Sequence, residues 1–277
     1  MRLTRIFLSA AVAALFFTAS ASAQLVDYSQ DFEGFTSALD VENNGDAGSS
    51  DIADDGWLVN GTVFSGTPDE PGAFQFFFGN FPAPNFSTNA GFTGIVADQG
   101  TGGQGTRHLN VFSDFNEGIS HGGEVGDAFI EARVFQEQTI GAADLGSTVD
   151  FDFEFKRNNE LNTTDFGPTG NTNTFAFVRV LDSIAGTFAT LSEVEFETTG
   201  ADLTEWTQEQ INFFIDPSLD GQLLQFGFYS EAQDFNGSGI AYDNLSFSNA
   251  AVPEPGSASV LALLGLTLIT RRRRKSA

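Results

Sequence analysis

The chain has 277 residues, 12 Lys and Arg against 37 Asp and Glu, a formal net charge of −25, no Cys and two His. These figures exclude disulfides, thiol catalysis and Cys-ligated metal centres, and they argue against a His-rich metal site. An acidic chain repels phosphates, so no nucleic-acid partner is expected.

Residues 1–23 have the parts of a secretory signal peptide. Arg2 and Arg5 are the basic start, residues 6–18 are apolar, and Ala21-Ser22-Ala23 is a small-residue cleavage site. Signal peptidase is then the first partner, and the mature chain starts at Gln24.

Residues 24–250 read as one all-β domain, a single jelly-roll-like β-sandwich. An opening strand is expected over 24–32, an acidic loop over 40–55, and strands over 57–64 and 74–78. Residues 82–105 are rich in Gly, Asn and Pro and are expected to be loop. Strands follow over 109–112, 128–138, 149–156, 174–181, 193–197, 207–215, 223–229 and 240–247. The alternation is strictest at 149–156, with Phe151, Phe153 and Phe155 on one face and Asp150, Asp152 and Glu154 on the other. Phe175, Phe177 and Arg179 share a face in the same way. No sustained helical period occurs in the domain.

Oxygen ligands are abundant here, so calcium is the ion to consider. Asp40, Glu42, Asn44 and Asp51, around the turn at Gly45, approximate the alternating oxygens of an EF-hand-type loop. Nearest neighbours in the series Asp150, Asp152 and Glu154 stand about 6.5–7 Å apart along a strand face, loosely compatible with a glycosidase pair. A glycoside hydrolase is therefore the enzymatic alternative. Glu193, Glu195 and Glu197 repeat the pattern, which favours an outward polar face for both runs and a protein without catalytic residues. His108 and His121 read as surface or turn residues. Trp57, Trp206 and Tyr229 are candidates to stack on sugar faces, while Phe76, Phe77, Phe78 and Phe81 are expected in the core. Between the tails the basic residues are Arg107, Arg133, Lys156, Arg157 and Arg179, a supply that argues against an anionic polymer.

Residues 251–277 have three parts in fixed order: Pro253-Glu254-Pro255, an apolar run over 257–270, and the cluster Arg271 to Lys275. Proline keeps the first part extended and accessible. The apolar run gives the chain a membrane association, and the basic cluster stays on the cytoplasmic side. This end resembles the PEP-CTERM sorting signal of Gram-negative-type bacteria. The resemblance implies that an exosortase recognises Pro253, Glu254 and Pro255 as substrate. It also implies an exported protein, anchored until processed and then sorted to the cell surface or extracellular matrix.

Asp31-Phe32-Glu33 near the start and Tyr242-Asp243-Asn244-Leu245-Ser246-Phe247 at the close resemble the edges of galactose-binding-like jelly rolls among carbohydrate-binding modules. The resemblance implies adjacent first and last strands, a structural calcium held by Glu33 and Asp243, and an extracellular polysaccharide as partner. The function expected from the whole chain is a non-catalytic glycan-binding or structural component of extracellular polymer.

Overall fold

The computed structural model describes residues 24–35, 50–83, 92–97, 104–111, 128–157, 172–232 and 240–249. The expected signal peptide and sorting segment lie outside these residues. Among them no helix is long and apolar enough to cross a membrane.

The described residues form two antiparallel sheets packed as a β-sandwich. One sheet has the order β11-β8-β13-β6-β5, built from β11 (Thr207–Phe214), β8 (Thr148–Arg157), β13 (Ile240–Asn249), β6 (Arg107–Val111) and β5 (Thr93–Ala97). Strand β1 (Tyr28–Gln30) lies beside β13, with Tyr28 opposite Phe247, so the first and last strands are neighbours. The other sheet has the order β10-β9-β12-β7-β2-β3. Its strands are β10 (Thr190–Glu197), β9 (Thr172–Leu181), β12 (Leu223–Ala232), β7 (Ala128–Thr139), β2 (Leu58–Thr67) and β3 (Glu70–Phe77), with β4 (Phe81–Pro82) also on β2. The single α-helix among the described residues, α1 (Ser50–Asp54), is one short turn that buries Ile52.

The strict alternation of β8 becomes two faces. Phe151, Phe153 and Phe155 are buried between the sheets. Phe226 stacks on Phe247 at 4.1 Å and Phe228 on Tyr242 at 3.6 Å, joining β12 to β13 through the middle of the core. Each such side chain contributes about 1.5–3 kcal/mol by leaving water.

Four expectations are corrected. The opening strand contracts to three residues because Gln138 takes the place of a strand partner upstream: its side chain accepts from Val26 N at 2.7 Å and donates to Val26 O at 3.0 Å. The expected loop over 82–105 contains β5, which is buried continuously over Thr93, Gly94 and Ile95, on both faces, and shows no alternation to read. Phe76 and Phe77 are exposed, because β3 is the edge of its sheet; Phe78 and Phe81 do pack on the core. His108 is fully buried, because its strand is covered rather than ending at a turn.

Candidate functional site

The sequence-derived candidates do not gather at one place. On the β8-containing sheet, Glu33 accepts hydrogen bonds from Thr106 N and Arg107 N, both 2.6 Å, and from Thr106 Oγ1 at 3.1 Å. Although some desolvation opposes it, these donors hold its carboxyl below the usual range. Glu33 thereby pins the start of β6, a task that needs no ion. Asp243 is buried, with Oδ2 3.4 Å from His108 Nδ1. Burial pushes its carboxyl up against the pull of His108. Among the described residues no group of three or more His, Asp or Glu is placed to hold a metal. Asp51 stands in the first turn of α1; Asp40, Glu42 and Asn44 lie outside the described residues.

The carboxylate series of β8 is tied to side-chain amides. Asp150 accepts from Asn212 at 2.6 Å and Asp152 from Gln210 at 2.8 Å, both donors on β11. Glu154 accepts from Gln104 and Asn244, each at 2.9 Å. The three acids form a hydrogen-bonded ladder along one face. Trp206 lies 5.0 Å from the His108 ring on this same face.

Two aromatic candidates are not available as platforms. Trp57 is fully buried, and its indole N–H points to Tyr28 Oη at 2.9 Å and Asp55 Oδ2 at 3.2 Å. Tyr229 is buried, stacked on Phe175 at 4.7 Å, and donates to Glu195 at 2.7 Å. Each ring is committed on both its apolar body and its polar atom.

The other sheet carries a cleft of about 590 Å³ on its outer face. Asn60, Asn80, Glu131, Arg133, Glu137, Arg179 and Gln225 supply its polar lining, and Phe77, Leu181 and Phe188 its apolar lining. Strand pairing builds it. Glu193, Arg179, Gln225 and Glu137 follow one another across β10, β9, β12 and β7. One step along, Phe177, Gly227, Phe135 and Leu58 form the next row. A Cβ on Gly227 would sit 2.2 Å from Val134 O, so only glycine lets β12 pack here.

Arg133, fully paired, organises the floor. It bonds Glu131 at 2.5 Å and Glu193 at 3.0 Å, and its guanidinium covers Tyr229 at 4.1 Å and Phe177 at 4.7 Å. Burial pulls its pKa down, but the two carboxylates more than reverse this and keep it charged. Two groups in the lining remain uncommitted. Asn60 donates to Asn80 at 2.9 Å, yet its own Oδ1 is buried without a hydrogen bond from any described residue. Arg179 donates through Nε to Gln225 at 2.8 Å and makes no ion pair with any described residue.

At the rim, Phe188 is 58% exposed and has φ of 53°, in the left-handed region that a bulky side chain enters at a cost of about 1–3 kcal/mol. Its loop is held by Asp182, whose carbonyl accepts from Phe188 N at 3.0 Å and whose carboxylate accepts from Thr187 Oγ1 at 3.2 Å. Phe77, 45% exposed, lines the same cleft.

Glu231 stands directly across from Glu131 in the β7–β12 ladder. Burial, then Glu131, raises its carboxyl from 4.5 to about 7. The folded chain therefore keeps this proton where the unfolded chain loses it, and stability falls as pH rises from about 4.5 to about 7. Replacing Glu231 with Gln removes that part of the slope and stabilises the protein above pH 7, as urea midpoints of both proteins across the range will show. Parallel slopes would refute it.

The sequence reading did not single out Arg133 or Arg179 as site residues. The usable signal was the outward run Glu131, Arg133, Phe135 and Glu137 on β7, which shares a sheet face with Phe175, Phe177 and Arg179 on β9, one strand away across β12.

No protein-family model matches this chain, and no curated protein does. Solved structures similar to it include modules of the Clostridium thermocellum endo-1,4-β-D-xylanase 10B, solved with xylohexaose, at 16% identity and a TM-score of 0.31. That match covers 57% of this chain and 25% of the other, so the chain spans about a quarter of the xylanase chain. A carbohydrate-binding module of the β-sandwich superfamily matches at 12% identity and a TM-score of 0.36, over 69% of this chain and 74% of that one. A cyclase from Fischerella sp. TAU matches at 12% identity and a TM-score of 0.34, over 59% and 75%. These values carry no argument about function. The sandwich rests on the strand pairing itself.

Proposed function

We propose that this chain is a glycan-binding protein whose ligand lies in the cleft on the outer face of the seven-stranded sheet. The observation that carries the reading is the pairing of exposed aromatic rings at the rim with unspent polar groups inside. Phe188 and Phe77 offer flat apolar surface to the C–H face of a sugar. The Nη groups of Arg179 offer donors to hydroxyls. Phe188 holds its exposed place in a strained conformation, a pattern that concentrates at binding sites. Binding without turnover is the part we assign to the cleft, and the assay for reducing-sugar release below separates it from hydrolysis.

Both ends of the sequence support a setting for this activity. Removal of residues 1–23 by signal peptidase would export the domain, and exosortase processing at Pro253-Glu254-Pro255 would follow membrane association of the apolar run. The destination in this reading is the cell surface or extracellular polymer. Calcium at Glu33 and Asp243 is no part of the binding reading, since both lie on the opposite sheet.

The test is saturable binding of the purified chain to a polysaccharide panel, with Phe188→Ala as the reporting variant. The expected result is selective binding that the variant weakens about tenfold or more, with unfolding stability changed by less than about 1 kcal/mol. No binding to any polymer by folded protein would favour a purely structural matrix component. Reducing-sugar release abolished by Glu154→Gln would favour the hydrolase.

A further inference from the structure

The two arginines of the cleft differ in one respect that bears on what the ligand carries. Arg133 is neutralised by Glu131 and Glu193. Arg179 lies opposite Glu193 across the β9–β10 ladder, but that carboxylate is bonded to Arg133. Arg179 is nonetheless held in place. Its Nε donates to Gln225 Oε1 at 2.8 Å, Gln225 Nε2 donates to Glu137 at 2.7 Å, and the guanidinium lies 5.3 Å from the Phe177 ring centre. The remaining guanidinium edge, with two Nη groups, makes no hydrogen bond with any described residue. Such an edge fits a carboxylate bidentately, a geometry an ammonium cannot reproduce.

From these contacts we infer that the cleft selects glycans bearing an isolated carboxylate, a uronic acid residue within an otherwise neutral repeat, and that Arg179 receives it. The inference rests on the glycan-binding reading above and deepens it. Burial and the repulsion of Arg133 lower the Arg179 pKa to about 10, so its charge is held at a cost that a ligand carboxylate would relieve. Glu131 and Glu137 line the same cleft. Their charge disfavours a dense polyanion, which is why the acidic group must be isolated rather than carried on every sugar. The net charge of −25 does not forbid this. At physiological salt, charges beyond roughly 8 Å are screened, and the local partner dominates.

The experiment is calorimetric or fluorescence titration of the full chain with a set of uronate-bearing polysaccharides of different neutral backbone. Each is compared with its carboxyl-reduced counterpart at neutral pH. The expected result is at least one acidic member bound roughly tenfold or more tightly than its reduced form, with the difference shrinking as salt is added. Arg179→Gln should erase the difference, and Arg179→Lys should keep part of it, since a point charge remains without the fork. Circular dichroism of each variant checks folding; if Arg179→Gln does not fold, the wild-type comparison still decides. Equal binding of acidic and reduced forms would overturn the inference and leave the glycan reading standing. No binding to any member of either set would overturn both.

Discussion

Replacing Arg133 with methionine should cost about 3–5 kcal/mol of folding stability. The side chain is buried, and it is the shared partner of Glu131 and Glu193. Methionine fills much of the space over Phe177 and Tyr229, so the loss is not chiefly one of packing. What remains is two partly buried carboxylates without their cation, with Glu231 directly across from one of them. Stranded carboxylates repel one another in a low local dielectric, and loss of Arg133 pushes the raised Glu231 carboxyl up further, so its protonation relieves only part of the cost. Urea unfolding at neutral pH measures it. A combined Arg133→Met, Glu131→Gln, Glu193→Gln variant should recover most of the loss, because it removes the stranded charges together. A single variant within about 1 kcal/mol of wild type would show that the network is solvated and unimportant.

Replacing Asp144 with alanine should cost a similar amount, about 3–5 kcal/mol, through hydrogen bonds alone. Its carboxylate is fully buried and accepts from Leu25 N at 3.1 Å, Gly141 N at 2.8 Å and Asn249 Nδ2 at 2.6 Å. Those donors belong to the segment before β1, the turn before β8 and the last residue of β13. One side chain therefore ties both ends of the domain to the same turn. Alanine leaves the donors buried and unpaired, each at the price of its desolvation. Hydrogen exchange should report the loss locally, with the Leu25 and Gly141 amides exchanging faster than those of β12. Asp144→Asn keeps one acceptor oxygen and should fall between. Unchanged exchange at Leu25 in the alanine variant would mean that water replaces the carboxylate.

The strands most legible in the sequence are those with one face in the core and one face polar. Val149 to Lys156 is the clearest: the period of two is a direct record of which side is wet, and β8 follows it. β5 was not legible, since a strand buried on both faces, over Thr93, Gly94 and Ile95 in succession, loses the alternation that would reveal it. Two of the three aromatic candidates, Trp57 and Tyr229, are buried for a related reason. Residue type shows that Trp57 and Tyr229 can stack on sugars, but not that their polar atoms and faces are already engaged within the fold. In the proposed function exposed Phe188 and Phe77 take that role, and Phe on a strand or turn ordinarily reads as core.

The sequence by itself determined the all-β class, the acidic character, the face pattern of β8 and the scarcity of cations, because each depends only on residue type and local period. The tertiary structure decided which cations meet. Arg133 and Arg179 come from strands that both pair with β12, and a single carboxylate, Glu193, opposite Arg179 but bonded to Arg133, settles which arginine is ion-paired and which has no ion pair among the described residues. Cross-strand register is a long-range property, set by the burial of an entire face at once, and no local pattern in the chain encodes it.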